Sequence, residues 1–260
     1  MLNEFSLSGK TALITGAGRG IGTGIAEVFA EAGATVIVNA LTDRYLAPFA
    51  DGLRKRTGQK VVAIAGDAAS PAGVAALVEQ SLAVSGCIDI LVNNLGDSIQ
   101  KPLVPLTEGQ VEVSDGEIET ILSLNLLSAI YCCRAVGRHM VERRSGKVVN
   151  ISSFAALRGI AGNSLYAAAK SALTGLTRSL ALEWAPFGIG VNAVAPGIVP
   201  DLITTGPKGY EDAVAVARAK VPLGRVGHLR EIGLATLYLA SSASDYMIGQ
   251  TLSVDGGMTT

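Results

Sequence analysis

The stretch TALITGAGRGIG, residues Thr11–Gly22, decides the fold of this 260-residue chain. The apolar, β-branched run Thr11–Thr15 predicts a buried strand, and the apolar spacing of Ile21–Ala32 predicts a helix. The glycines between them predict a tight turn whose backbone can lie against a ligand, because glycine carries no Cβ. Backbone N–H groups at the start of a helix attract anions. The stretch therefore predicts a phosphate-binding turn near the start of an α/β domain.

The alternation of strand and helix continues along the chain. The strand-like runs are apolar at successive positions, as expected for a parallel sheet that helices cover on both faces. No Pro- or Ser-rich linker divides the chain, so we predict a single α/β domain built of βαβ units. The other predicted strands are Thr35–Asn39, Val61–Ala65, Ile88–Asn93, Lys147–Ile151, Gly190–Ala195 and Thr251–Val254, and the other helices are Pro71–Ser85, Asp115–Arg144, Ser164–Ala185 and Leu229–Ala240.

Two long connections interrupt this rhythm, Gly96–Gly116 and Pro196–Val226. The second is predicted to hold a short helix near Tyr210–Lys220. Ligands of open α/β sheets bind outside the carboxyl ends of the strands, and both connections follow strands. Both are therefore candidates for the substrate wall, with simple surface insertion as the alternative.

The composition excludes several classes of protein. Lys plus Arg is 21 and Asp plus Glu is 22, so the net charge of −1 argues against nucleic-acid binding by bulk charge. Apolar residues make up 49%, which fills a core and suggests further burial between subunits. Three cysteines and two histidines give neither a disulfide framework nor a metal site. No uncharged apolar run of about 18 residues or secretory signal is seen, so we expect a cytoplasmic protein without a membrane partner.

Tyr166 and Lys170 lie four residues apart within the predicted helix Ser164–Ala185, on one helix face. A lysine ammonium beside a phenol favours the phenolate and lowers its pKa, which suits the tyrosine to acid–base work near neutral pH. Ser153 follows the strand Lys147–Ile151, so the next helix can bring Tyr166 back beside it. These three residues form the candidate catalytic group.

In these residues the sequence resembles the short-chain dehydrogenase/reductase family over nearly its whole length. The resemblance implies a Rossmann-type, doubly wound sheet of seven parallel strands and a nicotinamide dinucleotide cofactor. It rests on TGAGRGIG at Thr15–Gly22, Asp67, NNLG at Asn93–Gly96, Asn125, Ser153, YAAAK at Tyr166–Lys170, and Pro196-Gly197.

The resemblance also implies a role for each member of the catalytic set. Tyr166 would exchange a proton with the substrate oxygen, and Ser153 would hydrogen-bond that oxygen. Lys170 would bind the nicotinamide ribose hydroxyls and tune Tyr166. Asn125 would hold a water that links Lys170 to bulk solvent.

The implied cofactor contacts are more numerous. Asp67 would meet the adenine amino group, or alternatively cap the next helix. Leu95 departs from the family pattern, where alanine is usual, and Asp201 stands where a threonine normally contacts the carboxamide. The full set is Gly16, Gly18, Arg19, Gly20, Ile21, Gly22, Asn39, Asp67, Ala68, Asn93, Gly96, Tyr166, Lys170, Pro196 and Gly197.

The end of the second strand bears on the choice between the two dinucleotides. NAD enzymes of this fold place an acid there for the ribose hydroxyls, but this chain has Ala40. Arg19 stands where NADP-preferring relatives often carry a basic residue, and Arg44 is near. Leu41 and the neighbouring Asp43 argue for NAD. We therefore expect NADP(H) over NAD(H).

These observations together predict an NADP(H)-dependent oxidoreductase that interconverts a ketone and a secondary alcohol, with 3-oxoacyl thioesters as one substrate class. One alternative is an NAD-dependent dehydrogenase of a sugar, polyol or other secondary alcohol. Another is a non-catalytic dinucleotide-binding regulator, against which the intact catalytic set argues. Similarity to tetrameric relatives in the helix around Leu173–Leu182 and the C-terminal strand predicts a homotetramer.

Overall fold

Seven parallel strands form one sheet in the computed structural model, which describes residues 2–260. Their spatial order is β3-β2-β1-β4-β5-β6-β7, and every neighbouring pair is parallel. The predicted doubly wound fold is confirmed, with strand ends shifted by up to two residues. The strands are β1 (Thr11–Ile14), β2 (Thr35–Ala40), β3 (Val61–Ala65), β4 (Ile90–Asn93), β5 (Gly146–Ile151), β6 (Ile189–Pro196) and β7 (Thr251–Val254).

Helices cover both faces of the sheet, so each strand buries successive residues in opposite directions. In β1, Ala12 and Ile14 pack into the core on one face, whereas Leu13 packs into the core on the other. The helices are α1 (Ile21–Glu31), α2 (Asp43–Thr57), α3 (Pro71–Ser85), α4 (Asp115–Leu122), α5 (Ser128–Arg143), α6 (Ser164–Trp184), α7 (Leu202–Lys220) and α8 (Leu229–Ala240).

The order of the strands places the functional crevice. β1 lies between β2 and β4, so the chain reverses its winding direction there. Connections on the two sides of such a reversal diverge and leave an opening beyond the carboxyl ends of the strands. The glycine turn after β1, Gly96 after β4 and Ser153 after β5 all lie at this edge.

Helix α2 is absent from the sequence-based assignment. Pro48 lies inside it, and a proline in a helix interior removes one backbone hydrogen bond. Its other face buries Leu46, Ala50 and Leu53, and this packing outweighs the proline.

The region predicted as one helix, Asp115–Arg144, contains a π-helical turn at Ser123–Leu127. By length and composition Asp115–Arg143 could cross a membrane. However, Cys132, Val136 and Met140 are buried in the core, as in the central helix of a soluble α/β protein. Burial also raises the pKa of the Cys132 thiol to about 12, which fits a packing role.

Helix α7 is longer than the short helix predicted near Tyr210–Lys220. It begins at Leu202 and is broken at Gly206, whose φ of 66° and ψ of 174° are not helical. The first turn, Leu202–Thr205, is therefore a separate helical piece ahead of the main helix. Leu202 and Ile203 are exposed on it.

Candidate active site

Asn94, from the NNLG motif, holds the glycine turn in place, a role that was not predicted from the sequence. Its side-chain amide donates to the carbonyl of Thr15 at 3.0 Å and to that of Gly16 at 2.9 Å. The Thr15 hydroxyl accepts from the backbone N–H groups of Asn94 and Leu95 at 3.1 and 3.2 Å. The end of β4 thus fixes the turn that follows β1. The only sequence signal for this role was the pair of adjacent asparagines at the end of a predicted strand.

The turn forms the cradle expected for phosphate. Gly16 and Gly20 have φ values of 63° and 62°, in the left-handed region that favours glycine. A Cβ on Gly22 would lie 2.7 Å from the Ala17 Cα and 2.7 Å from the Gly16 carbonyl oxygen. Gly20 is the N-cap of α1 and Ile21 its first residue, so the turn presents its backbone at a helix N-terminus.

We expect Asn94→Ala to destabilise the fold by about 1–3 kcal/mol, because two carbonyls of the turn lose their donor. Cofactor affinity should fall as well, since the turn is no longer fixed to β4. Urea unfolding and nucleotide titration measure the two effects. Gln80→Ala is the control, because that exposed amide on α3 donates only to the Ala76 carbonyl of its own helix. Equal stability of the two variants would contradict the assignment.

Asn39, predicted to contact the cofactor, also has a structural role. Its side chain is buried and donates to the carbonyls of Ile64 and Gly66 at 3.0 and 3.1 Å. Its own carbonyl accepts from the Ala17 N–H at 2.7 Å. Asn39 therefore joins β2 to β3 through its amide nitrogen and to the glycine turn through its backbone carbonyl.

Asp67, Ala68 and Asn93 lie at the carboxyl ends of β3 and β4, as predicted. Asp67 is exposed after β3 and accepts from the Ala69 N–H at 2.9 Å, beside buried Ala68. The alternative role for Asp67 as a helix cap is wrong, since Ser70 caps α3. Asn93 donates to the Asn150 side-chain oxygen at 2.8 Å, which ties β4 to β5.

Ser153, Tyr166 and Lys170 are brought together at the carboxyl end of β5. The Ser153 hydroxyl lies close enough to the Tyr166 phenol to lower its pKa. The Lys170 ammonium lies 5.7 Å from the centre of the Tyr166 ring and donates to the Ile151 carbonyl at 3.0 Å. Ser153 also accepts from the Ala155 N–H at 3.1 Å, which fixes its position.

The pKa values of this group are set mainly by burial. Burial raises the pKa of Tyr166, hydrogen bonding from Ser153 lowers it, and the Asp97 charge raises it. Burial lowers the pKa of Lys170 to about 8. The lowering of the Tyr166 pKa expected from Lys170 is not seen in the protein alone. Burial is the largest of these effects, because the phenolate is taken out of water.

Asn125 reaches the same place from the π-helical turn. Its amide nitrogen donates to the carbonyl of Asp97 at 2.8 Å and to that of Ile121 at 2.9 Å. Its side-chain oxygen is buried and has no hydrogen-bond partner within residues 2–260. A Cβ on Gly96 would lie 2.6 Å from that oxygen and 3.0 Å from the Lys170 ammonium. The absence of a side chain on Gly96 therefore leaves a space that borders both the Asn125 oxygen and the Lys170 ammonium.

Asp97→Asn should move the pH profile of alcohol oxidation toward lower pH. The base form of Tyr166 is needed for oxidation, so the rate rises as pH rises through the Tyr166 pKa. The Asp97 charge raises that pKa, and its removal lowers it. Asp97→Glu keeps the charge and serves as the control. An unshifted profile for Asp97→Asn, measured as kcat/KM against pH, would refute the coupling.

The loop after β6 closes the other side of the crevice. Pro196 ends β6, and a Cβ on Gly197 would lie 2.7 Å from the Asp255 Cα, so the C-terminal segment packs directly on it. Arg158, which follows β5, donates to the Met258 carbonyl at 2.8 Å and so contacts the same C-terminal segment. Among residues 2–260 no group of three potential metal ligands is clustered.

A nicotinamide dinucleotide fits these residues. The glycine cradle suits its phosphates, and the unpartnered Asn125 oxygen lies beside the lysine expected at its ribose. The fold and the site together define a nicotinamide-dependent oxidoreductase. A family model described as enoyl-(acyl carrier protein) reductase matches residues 16–259. The chain belongs to the short-chain dehydrogenase/reductase family.

Its relatives include enzymes of two substrate classes. A 3-oxoacyl-(acyl-carrier-protein) reductase of Chlamydia muridarum is 41% identical, over 97% of this chain and 98% of that protein. A 2-dehydro-3-deoxy-D-gluconate 5-dehydrogenase of Dickeya dadantii is 36% identical, over 99% and 98%. A gluconate 5-dehydrogenase of Burkholderia cenocepacia, solved with NADP and tartrate, is 35% identical with a TM-score of 0.89, over 99% and 98%.

Proposed function

We propose that this enzyme is NADP(H)-dependent and interconverts a ketone and a secondary alcohol, with 3-oxoacyl thioesters as the first substrate class to test. The observation that carries the proposal is the convergence of the Ser153 and Tyr166 hydroxyls beside the buried Lys170. The 3-oxoacyl reductase relative, at 41% identity, supports this substrate class.

Each residue of the proposed set has a distinct task. The bound nicotinamide supplies or accepts the hydride. Tyr166 gives its proton to the substrate oxygen in reduction and takes it back in oxidation. Ser153 donates a hydrogen bond to the same oxygen, where negative charge develops. Lys170 binds the ribose hydroxyls of the cofactor. Asn125 links Lys170 to bulk solvent, the source of protons, through the space beside Gly96.

The end of β2 supports NADP(H). Ala40 ends the strand, and a carboxylate, which would repel a 2′-phosphate, is missing at this position. Asp43 is the first residue of α2, beyond the exposed Leu41. Arg19 is exposed in the glycine turn and is free to reach a phosphate.

Arg19→Ala should weaken NADPH binding by about tenfold and NADH binding much less, because a charged hydrogen bond to the extra phosphate is lost. Fluorescence titration of both reduced cofactors measures the effect. Arg56→Ala is the control, since that guanidinium is paired with Glu27 at 2.6 Å. Tighter binding of NADH than NADPH by the unaltered protein would reverse the cofactor assignment.

A second candidate function is oxidation of a sugar acid or polyol. The gluconate 5-dehydrogenase structure, with its TM-score of 0.89, favours it. Asp97 also places a carboxylate near Tyr166, where it can accept hydrogen bonds from substrate hydroxyls. A non-catalytic regulator is disfavoured, because such a protein does not need the Ser153–Tyr166 pair.

A substrate panel separates these functions. Acetoacetyl thioesters, simple ketones, gluconate and neutral polyols are each tested with both cofactors, following absorbance of the reduced nicotinamide. Reduction of the thioester with NADPH supports the first proposal. Turnover restricted to polyols with NAD supports the second, and absence of turnover with intact cofactor binding supports the regulator.

We also propose a cytoplasmic homotetramer. Leu182, on α6, is 76% exposed in the single chain, which suits a subunit interface. Light scattering of the full chain tests the assembly, and a monomer at micromolar concentration would contradict it.

A further inference from the structure

One carboxylate lies against the phosphate-binding turn. Asp201 is the N-cap that directly precedes α7, and its Oδ2 atom is 3.0 Å from the position that a Cβ on Gly20 would take. Gly20 is the residue that opens α1, where the anion-binding N–H groups of the turn are presented. A negatively charged side chain therefore lies at the place that suits the negatively charged phosphates of the cofactor.

The position of this carboxylate is fixed by its own helix. The Oδ1 atom of Asp201 accepts from the backbone N–H groups of Ile203 and Thr204, both at 3.0 Å. Asp201 is thus the N-cap of the first turn of α7, and the cap leaves Oδ2 directed at Gly20. The side chain is half-buried, so solvent screens its charge only in part.

The segment that carries Asp201 can move as a piece. The break at Gly206 separates the turn Leu202–Thr205 from the rest of α7. Leu202 and Ile203 are 59% and 56% exposed, so few apolar contacts anchor this turn. The turn can shift without unfolding the helix that follows.

We propose that Asp201 is an electrostatic brake on cofactor binding. Its carboxylate occupies the anion site of the glycine turn, and the pyrophosphate of the dinucleotide must displace it together with the turn Leu202–Thr205. The enzyme consequently binds either dinucleotide more weakly than its glycine turn allows. This inference rests on dinucleotide binding and not on the proposed preference for NADP(H).

The test compares Asp201→Asn, which keeps the size and the helix cap but removes the charge, with the unaltered chain. NADH and ADP-ribose are titrated, the second because it carries the pyrophosphate without the nicotinamide. We expect Asp201→Asn to tighten both by about tenfold, the size of a partly screened like-charge contact. Asp201→Thr should do the same, and the rise in Tm on adding ADP-ribose should grow with the affinity.

Two controls identify the cause. Asp212→Asn makes the same charge change in the exposed main part of α7 and should leave both affinities within about twofold. Adenosine, which has no phosphate, should bind the unaltered chain and Asp201→Asn equally.

Three results would overturn the proposal. Unchanged or weaker ADP-ribose binding by Asp201→Asn would show that the carboxylate does not oppose the pyrophosphate. A change for NADH but not ADP-ribose would place Asp201 at the nicotinamide instead. An equal gain in affinity for Asp212→Asn would show that the effect comes from the overall charge of the protein and not from the position of Asp201. If the unaltered chain binds neither NADH nor NADPH, dinucleotide binding itself fails, which is a separate outcome.

Discussion

Tyr166→Phe is expected to lower kcat by about 10²- to 10⁴-fold in both directions of the reaction, since the substrate oxygen loses its proton donor and acceptor. The ring is retained, so the packing around Lys170 should persist, and nucleotide affinity should change by less than about twofold. Single-turnover rates and cofactor titrations of the same preparation separate the two effects.

Tyr246→Phe provides the matched control, because that side chain is fully exposed and removal of its hydroxyl should leave kcat unchanged. Ser153→Ala should give an intermediate loss, since one of two hydrogen bonds to the developing charge disappears. Near-normal turnover by Tyr166→Phe would show that another group moves the proton.

Gly22→Ala should abolish measurable cofactor binding, with an affinity loss of at least about 100-fold expected from a distorted phosphate cradle. The added Cβ would lie 2.7 Å from the Ala17 Cα and 2.7 Å from the Gly16 carbonyl oxygen. Both are backbone atoms and cannot turn aside as a side chain does, so the turn must change shape. Nucleotide titration and ligand-induced change in Tm measure the effect.

Gly52→Ala is the control for this substitution. It lies inside α2, where a Cβ would make an ordinary 3.5 Å contact with the flexible end of Arg56. Alanine is the better helix former by about 1 kcal/mol, so stability should be kept or raised. Normal nucleotide binding by Gly22→Ala would mean that the turn does not cradle the phosphates.

At the glycine turn, local patterns were enough to predict the backbone but not the contacts that hold it. The strand, turn and helix were predictable because the apolar spacing and the glycines act within a dozen consecutive residues. The role of Asn94 was not, because its partners Thr15 and Gly16 are distant in the sequence. Asn39 shows the same limit: an asparagine at a strand end can face a ligand or hold two strands together, and only the structure shows that its amide nitrogen joins β2 to β3.

Helices were predictable where their periodicity was uninterrupted. Helix α2 was not predicted, because Pro48 disfavours a helix locally. In the folded protein, the burial of Leu46, Ala50 and Leu53 stabilises this helix. The π-helical turn around Asn125 has no signature in the helical pattern. Within this turn, the Asn125 amide donates to the carbonyls of Ile121 and Asp97, and Asp97 lies on another connection.

The sequence by itself determined the parallel sheet, the glycine turn and the identities of Ser153, Tyr166 and Lys170, because each depends on residue type and short spacing. Tertiary structure alone decided the electrostatics. Burial raised the pKa of Tyr166, Asp97 approached it from the end of β4, and Asp201 came to lie over Gly20 from the loop after β6. The physical reason is distance: charge and desolvation act through space, between groups that the chain brings together only when the sheet has formed.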